Sequence, residues 1–100
     1  MSQQAVLRAI SEPRRQELLT ILRAQGELSV GELAERVKVT QQAVSLHLKV
    51  LEDAGLVEAR REGTRHIYAV RAEGFKPVQE FVSMFWGEHL AELKREIEGD

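Results

Sequence analysis

The sequence has 100 residues, of which 43% are apolar and 30% charged, the composition of a single globular domain. It contains no cysteine, which excludes a disulfide framework and a thiolate metal site. Its longest apolar runs are only a few residues, too short for a membrane-spanning helix, and the start Met1-Ser2-Gln3-Gln4 lacks a secretory signal, so we expect a cytoplasmic protein.

The net charge of −2 is distributed unevenly along the chain. Residues 1–71 carry eleven Lys or Arg against nine Asp or Glu, a balance of +2, whereas residues 72–100 carry three against seven, a balance of −4. Within residues 57–71 four arginines accompany two glutamates: Arg60, Arg61, Arg65 and Arg71 with Glu58 and Glu62. Because phosphate binding depends on where positive charge is concentrated, this pattern is compatible with a nucleic-acid partner.

Two helices are predicted at the start of the chain. Apolar residues at helical spacing indicate a short helix over residues 3–10. Ser11-Glu12-Pro13 begins a second helix, because proline is tolerated in the first turn. That helix ends at Gly26, a residue that suits a left-handed C-cap.

The next segment predicts a helix-turn-helix. Ser29 and Glu32 have the spacing of a capping box, and apolar residues then recur at helical spacing as far as Val37. Thr40 can cap the following helix, which stops at Gly55. Two helices joined by a turn of three or four residues form this motif.

The apolar pattern changes after the helix-turn-helix. Residues 56–61 and 65–70 indicate two strands around Glu62-Gly63-Thr64, a hairpin. A final helix is predicted from about residue 75 to 97, with Pro77 in its first turn. Its apolar residues form a stripe too wide for one contact in so small a domain, so we expect part of it to face a second subunit. The stripe consists of Phe75, Val78, Phe81, Val82, Phe85, Trp86, Leu90, Leu93 and Ile97.

The predicted fold is therefore mainly α with a β-hairpin wing, a single winged helix-turn-helix domain over residues 1–100 in the order α-α-α-α-β-β-α. Its helix-turn-helix spans about residues 29–54, its wing about 56–71 and its C-terminal dimerisation helix about 75–97.

Three motifs resemble those of the ArsR/SmtB family of bacterial repressors. The run VSLHLKVLEDAGLV, residues 44–57, is similar to the family's recognition-helix pattern VSxHLxxLxxAGLV. Ser11-Glu12-Pro13-Arg14-Arg15 is similar to the start of its second helix, and Arg60-Arg61-Glu62-Gly63 with Ile67-Tyr68 to its wing. The resemblance implies a DNA-binding transcriptional regulator, expected to be a repressor that binds an inverted-repeat operator on double-stranded DNA as a homodimer.

The helix that begins after Thr40 has an apolar face around Val44, Leu48 and Leu51 and a polar face opposite. A glutamine can pair with adenine, a hydroxyl suits a base edge or phosphate, and a leucine can meet a thymine methyl. Thr40 can place its hydroxyl and N–H on a phosphate. We therefore predict that six residues of this helix contact DNA, with a merely solvated polar face as the alternative: Thr40, Gln41, Gln42, Ser45, Leu46 and Lys49.

The wing and the outer helices complete the predicted interfaces. Wing residues predicted to contact the DNA backbone are Arg60, Arg61, Thr64 and Arg65, with surface solubility or pairing to Glu58 and Glu62 as the alternative. Residues predicted to form the dimer interface are Val6, Leu7, Ile10, Phe81, Phe85 and Leu90. His47 falls within the packed arc of its helix, so we expect it to be half-buried and hydrogen-bonded.

We expect no metal and no cofactor. Metal-sensing members of the family carry ligands where this sequence has Ser29, Gly31, Lys76 and Val78. Only His89 and Glu92 match such a site, and zinc normally requires three or four protein ligands. The resemblance thus leaves the effector open.

Catalysis is not expected, because Ser45 and His47, two residues apart on a helix, point in different directions, and there is no phosphate-binding glycine loop. Two alternatives to a DNA-binding repressor remain. One is a winged helix that docks protein through the same surface, and the other is a metal sensor with a rearranged site that includes His89 and Glu92.

Overall fold

The computed structural model describes residues 2–97, apart from the side chains of residues 88–91 and 94. The elements are α1 (Gln3–Ile10), α2 (Pro13–Gln25), β1 (Leu28–Ser29), α3 (Val30–Val37), α4 (Gln41–Asp53), β2 (Val57–Glu62), β3 (Arg65–Val70), a 3-10 turn (Ala72–Phe75) and α5 (Lys76–Ile97). The predicted order of helices and hairpin strands is confirmed. The sequence analysis missed β1 and the 3-10 turn.

Local side chains cap the helices where the sequence predicts. Ser29 Oγ accepts a hydrogen bond from the N–H of Glu32 at 3.1 Å, and Glu32 Oε1 accepts one from the N–H of Ser29 at 2.9 Å, so the capping box of α3 is formed. Thr40 Oγ1 accepts from the N–H of Ala43 at 3.1 Å at the start of α4. In α2 the capping side chain is that of Glu12. These bonds satisfy N–H groups that a helix leaves without partners.

The three strands form an antiparallel sheet in the order β1-β3-β2. Two residues of β1 pair with β3, Leu28 with Tyr68 and Ser29 with Ile67. Gly63, with φ of 65°, occupies the tight turn between β2 and β3, a conformation that glycine adopts without a steric penalty. A strand of two residues carries no alternating pattern, which is why the sequence did not reveal β1.

The core lies between the first four helices and one face of the sheet. Its fully buried side chains are Leu18, Leu22, Leu33, Leu48, Leu51, Leu56, Val6, Val44 and Val57. Val44, Leu48 and Leu51 form the inner face of α4, as predicted, so the opposite face of that helix is turned outward.

The 3-10 turn fixes the start of α5 against the end of α4. The N–H of Arg71 donates to the carbonyl oxygen of Leu56 at 2.8 Å. Gly74 lies so close to the carbonyl oxygen of Gly55 that a Cβ at Gly74 would be 1.9 Å from it. The entry into α5 is therefore held by backbone contacts that only a glycine permits.

Phe75, at the end of the 3-10 turn, and Val78, in the first turn of α5, lie against the core. Farther along, Phe81 is 40% exposed, Phe85 70% and Ile97 84%. The chain measures 57 Å along its longest axis and 27 Å across. Within the described part, no helix has the length and apolarity needed to cross a membrane.

Candidate nucleic-acid interface

Helix α4 presents a polar face that none of the described elements covers. Its exposed side chains there are Gln41, Gln42, Ser45, Leu46 and Lys49. Leu46, an apolar residue, is 71% exposed on this face. Lys49 Nζ lies 3.3 Å from Asp53 Oδ1 on the next turn. The structure thus places all the predicted recognition-helix side chains on one accessible surface.

The N-terminus of α4 opens onto the same surface. The Oγ1 atom of Thr40 already accepts the N–H of Ala43, but its hydroxyl hydrogen is free to be donated. The first amide groups of a helix have no intrahelical partners and carry partial positive charge. This end of α4 therefore suits a phosphate oxygen.

A cleft of 610 Å³ separates α4 from the wing. It is lined by Ser29, Val30, Gly31, Gln41, Ser45, Thr64, Arg65, His66 and Tyr68. Gln41 and Ser45 of α4, the predicted recognition helix, therefore border the same space as Thr64 and Arg65 of the wing, which are more than 15 residues away in sequence. His66 and Tyr68 were not among the predicted contacts. The only sequence signal for them was that they alternate with Ile67 and Ala69, a pattern typical of a half-exposed strand.

Most wing arginines are paired with carboxylates. Arg60 Nη2 donates to Glu27 Oε2 at 2.6 Å and its Nη1 to Glu62 Oε2 at 2.7 Å. Arg65 Nη2 donates to Glu32 Oε1 at 3.0 Å. Arg71 lies between two glutamates, with its nitrogens 3.8 Å from Glu58 and 3.1 Å from Glu73. Arg61 is exposed, and in the register of the hairpin it stands opposite His66.

These pairs change the electrostatics of the wing. The excess of arginine over glutamate was counted within residues 57–71 alone. The fold brings two further carboxylates, those of Glu27 and Glu32, to the wing from the segment around β1. The hydrogen bond from Arg60 lowers the pKa of Glu27, and the hydrogen bond from the Ser29 N–H, assisted by the charge of Arg65, lowers the pKa of Glu32. Both carboxylates are therefore ionised at neutral pH and offset two of the wing arginines.

His47 is half-buried, as predicted, and faces α2 rather than the polar face of α4. Arg15 Nη1 lies 3.3 Å from His47 Nδ1, and Arg15 Nε donates to the carbonyl oxygen of Ala9 at 2.7 Å. Because a guanidinium only donates, this contact requires His47 Nδ1 to accept. Glu12 Oε2 is 3.9 Å from the same nitrogen. Arg15 thus ties α1, α2 and the recognition helix together.

The predicted dimer residues differ in their exposure. Leu7, Phe81 and Phe85 are exposed, and Ile10 is partly buried. The rings of Phe81 and Phe85 pack edge to face with centroids 5.2 Å apart. Val6 was predicted wrongly: its exposure is 0%, because it points into the chain's own core. The side chain of Leu90 lies outside the described residues.

Two positions that carry metal ligands in metal-sensing members of the resembled ArsR/SmtB family hold residues without a ligating role here. The Ser29 hydroxyl caps α3, and Gly31 has no side chain. His89 lies outside the described side chains, and Glu92 is exposed. Across the side chains that the structure describes, no three His, Cys, Asp or Glu residues come together as a metal site would require.

Comparison with known proteins places this architecture in a family. The model of a helix-turn-helix domain family matches residues 10–60. The HTH-type transcriptional regulator Rv2034 of Mycobacterium tuberculosis is 36% identical over 92 residues, covering 92% of this chain and 85% of that protein. The regulator Rv0324 of the same organism is 37% identical, but the match covers 86% of this chain and only 38% of that longer protein.

Two further relatives are named for opposite effects on transcription. They are the arsenical resistance operon repressor of Staphylococcus xylosus, 37% identical over 68% of this chain and 64% of its own length, and the transcriptional activator HlyU of Vibrio cholerae, 36% identical over 77% and 70%.

A solved structure agrees in both fold and sequence. It is the homodimeric winged helix-turn-helix DNA-binding domain of Mb0332 from Mycobacterium bovis, described as a possible ArsR-family transcriptional regulator. It superposes with a TM-score of 0.68 at 37% identity, covering 87% of this chain and 80% of that one. The chain described here belongs to the ArsR family of winged helix-turn-helix transcriptional regulators.

Proposed function

We propose that this protein is a homodimeric repressor that binds a specific inverted-repeat operator through the outer face of α4. The observation that carries the proposal is that face itself. Its polar side chains and the 71%-exposed Leu46 project from a helix whose inner face is held by the fully buried Val44, Leu48 and Leu51. A rigid helix with an uncovered polar face has the dimensions to enter a major groove.

Each side chain on that face has a chemical role in this proposal. Gln41 and Gln42 offer both a donor and an acceptor, the pattern that pairs with adenine, and Ser45 suits a base edge or a phosphate. Leu46 meets a thymine methyl, which removes its apolar surface from water. Thr40 and Lys49 contact phosphates at either end and set the register of the helix.

From the wing, Arg61, Thr64 and Arg65 complete the contacts. Arg65 uses one nitrogen on Glu32, and a guanidinium has five N–H donors, so other donors remain for a phosphate. We leave Arg60 out of this set, because two carboxylates hold its guanidinium.

The dimer of this proposal forms through α1 and α5. Leu7, Phe81 and Phe85 supply exposed apolar surface, and we retain Ile10 and Leu90 from the sequence prediction. The homodimeric state described for the Mb0332 domain supports the formation of a dimer. A two-fold symmetric pair of α4 helices requires half-sites about 34–36 Å apart, or a multiple of that distance.

Binding over a promoter would block transcription, the simplest consequence of such a dimer and the reason we propose repression. We place this regulator in the cytoplasm, where the operator DNA of a bacterial cell lies. We assign no effector. The experiment below identifies the regulated genes, and transcription of those genes with and without the protein would establish the sign of regulation.

The test of the proposal is selection of binding sites from the source genome. Purified protein is incubated with sheared genomic DNA, and the bound fragments are sequenced. We expect one or a few sites with an inverted repeat, and a Gln42→Ala/Ser45→Ala variant should lose them while it retains weak binding to any DNA. A Glu35→Gln variant, changed on an exposed residue of α3, is the control. Diffuse enrichment would contradict sequence-specific recognition, and no binding at low salt would favour the protein-docking alternative.

A further inference from the structure

We infer that Glu27 and Glu32 are positioning residues: through Arg60 and Arg65 they hold the wing at a fixed angle to the recognition helix. We call these two ion pairs the wing brace. The inference concerns DNA recognition and therefore rests on the proposed function, although the brace itself is a property of the free protein.

The first arm of the brace crosses the sheet. Arg60 on β2 stands opposite Ile67 on β3, and β3 separates β2 from β1. Glu27 directly precedes β1, so the 2.6 Å contact between Arg60 Nη2 and Glu27 Oε2 bridges from the outer strand of the hairpin, across β3, to the strand that leads into α3. Ile67 is only 6% exposed. Arg60 therefore links the two outer strands of the sheet, β2 and β1, across the central strand β3.

The second arm joins the far end of the hairpin to the start of α3. Glu32 Oε1 accepts from the N–H of Ser29 at 2.9 Å and from Arg65 Nη2 at 3.0 Å. The capping box fixes the carboxylate before the arginine meets it, so Glu32 loses little side-chain freedom in forming the pair. Arg65 follows the hairpin turn directly, so this contact locates the tip of the wing.

Both arms are needed because the backbone secures the wing only weakly. The pairing of β1 with β3 ends at Ile67, and the described hairpin beyond it is paired only with itself. The ion pairs hold the hairpin at two levels, beside Ile67 and at the turn. Each is about half exposed, with side-chain exposures of 51% and 51% in one and 52% and 43% in the other, so each alone contributes modestly.

The wing brace and net charge predict different effects on DNA binding when the two glutamates are replaced. A Glu27→Gln/Glu32→Gln variant gains two units of positive charge, and charge alone would tighten its binding to every DNA. If the carboxylates position the wing, the same variant instead loses discrimination, because the wing no longer meets the backbone in register with α4. Glutamine at residue 32 can still complete the capping box, so α3 is preserved.

The experiment has one readout with DNA and one without. The probes are the strongest fragment from the genomic selection and a scrambled duplex of equal length. For the double variant we expect the affinity ratio between these probes to fall about three- to tenfold. Glu35→Gln, exposed and in no ion pair among the described residues, should leave the ratio unchanged. Equal tightening on both probes would overturn the inference.

Nuclear relaxation of the backbone amides of Gly63 and Thr64 tests the brace in the free protein. We expect order parameters near the rigid value of about 0.85 in the original chain and a drop toward 0.6 in the double variant, with only a small fall in the unfolding midpoint, because each half-exposed ion pair contributes modestly. Unchanged order at the turn would overturn the inference even if DNA binding changed. If the original chain selects no specific fragment, the proposed function fails, and this measurement still decides the brace.

A last comparison separates positioning from direct contact. Arg60→Gln should weaken binding to the selected fragment and leave the dependence of affinity on salt unchanged. If the slope of log affinity against log salt concentration falls by about one, Arg60 contacts a phosphate directly and does not act by positioning the wing.

Discussion

Replacing Gly74 by alanine should destabilise the protein, because the added methyl group would meet backbone. The new Cβ would lie 1.9 Å from the carbonyl oxygen of Gly55, 2.8 Å from its carbonyl carbon and 3.3 Å from the Cα of Leu56. Side-chain Cβ atoms essentially never approach within 3.0 Å, so the chain must separate by about 1 Å at this point. The hydrogen bond between Arg71 and Leu56 opposes that movement.

The cost follows from the atoms involved. Overpacking a well-packed site costs about 1–3 kcal/mol, and Gly74→Ala belongs at the upper end because no flexible side chain can yield. The assay is urea unfolding at one fixed protein concentration, since the proposed dimerisation would make apparent stability depend on concentration. Gly31→Ala is the control: its Cβ would lie 3.5 Å from Gln41 Nε2, an ordinary contact with a flexible side chain. A Gly74→Ala protein within about 0.5 kcal/mol of the original would refute the reasoning, because it would show that α5 can leave the end of α4 at no cost.

Four other substitutions or conditions test separate parts of the structure. Arg65→Ala should lower the salt slope of DNA binding by about one, whereas Arg23→Ala, exposed on α2, should not; equal slopes would remove Arg65 from the contacts. Ser29→Ala should lower the free energy of unfolding by about 1 kcal/mol through loss of the cap, measured in urea, and an unchanged midpoint would contradict the capping role. Phe85→Ser should raise the dimer dissociation constant at least about tenfold in sedimentation without altering the monomer fold, because the ring is 70% exposed; an unchanged constant would exclude it from the interface. Folding lowers the pKa of Glu32, chiefly through the Ser29 N–H, so the stability it contributes is present above the unfolded pKa of about 4.3 and is lost as pH falls through the lower folded value. The urea midpoint should therefore drop on acidification from about pH 5 to 3 more in the original chain than in Glu32→Gln, and parallel curves would contradict this linkage.

Helix ends and the inner face of α4 were predictable because they depend on neighbours in sequence. The capping box of Ser29 and Glu32 forms between residues three apart, and Thr40 caps α4 in the same way. The buried positions of α4 repeat at the helical period, which also identified its outward polar face. The family resemblance rested on the same local runs, so fold and function class followed from the sequence.

The role of Val6 shows where such spacing is insufficient. Val6 and Leu7 are adjacent apolar residues on one short helix, and the sequence prediction assigned both to the dimer surface. The structure buries Val6 completely and leaves Leu7 38% exposed. Which of the two points inward depends on how α1 is rotated against the rest of the core.

The partners of the wing arginines and the close contact between Gly74 and Gly55 likewise depend on tertiary structure. Residues 57–71 are rich in arginine, yet the fold brings Glu27 and Glu32 to Arg60 and Arg65 from 33 positions away in the chain. Gly74 gave no sign in the sequence of its contact with Gly55. Capping, helical periodicity and turn chemistry act over three or four residues, so the sequence alone determined the five helices, the hairpin and the outward face of α4. Ion pairs and backbone contacts act through space, so only the packing of β1, the hairpin and the 3-10 turn determined which charges remain for DNA and where α5 begins.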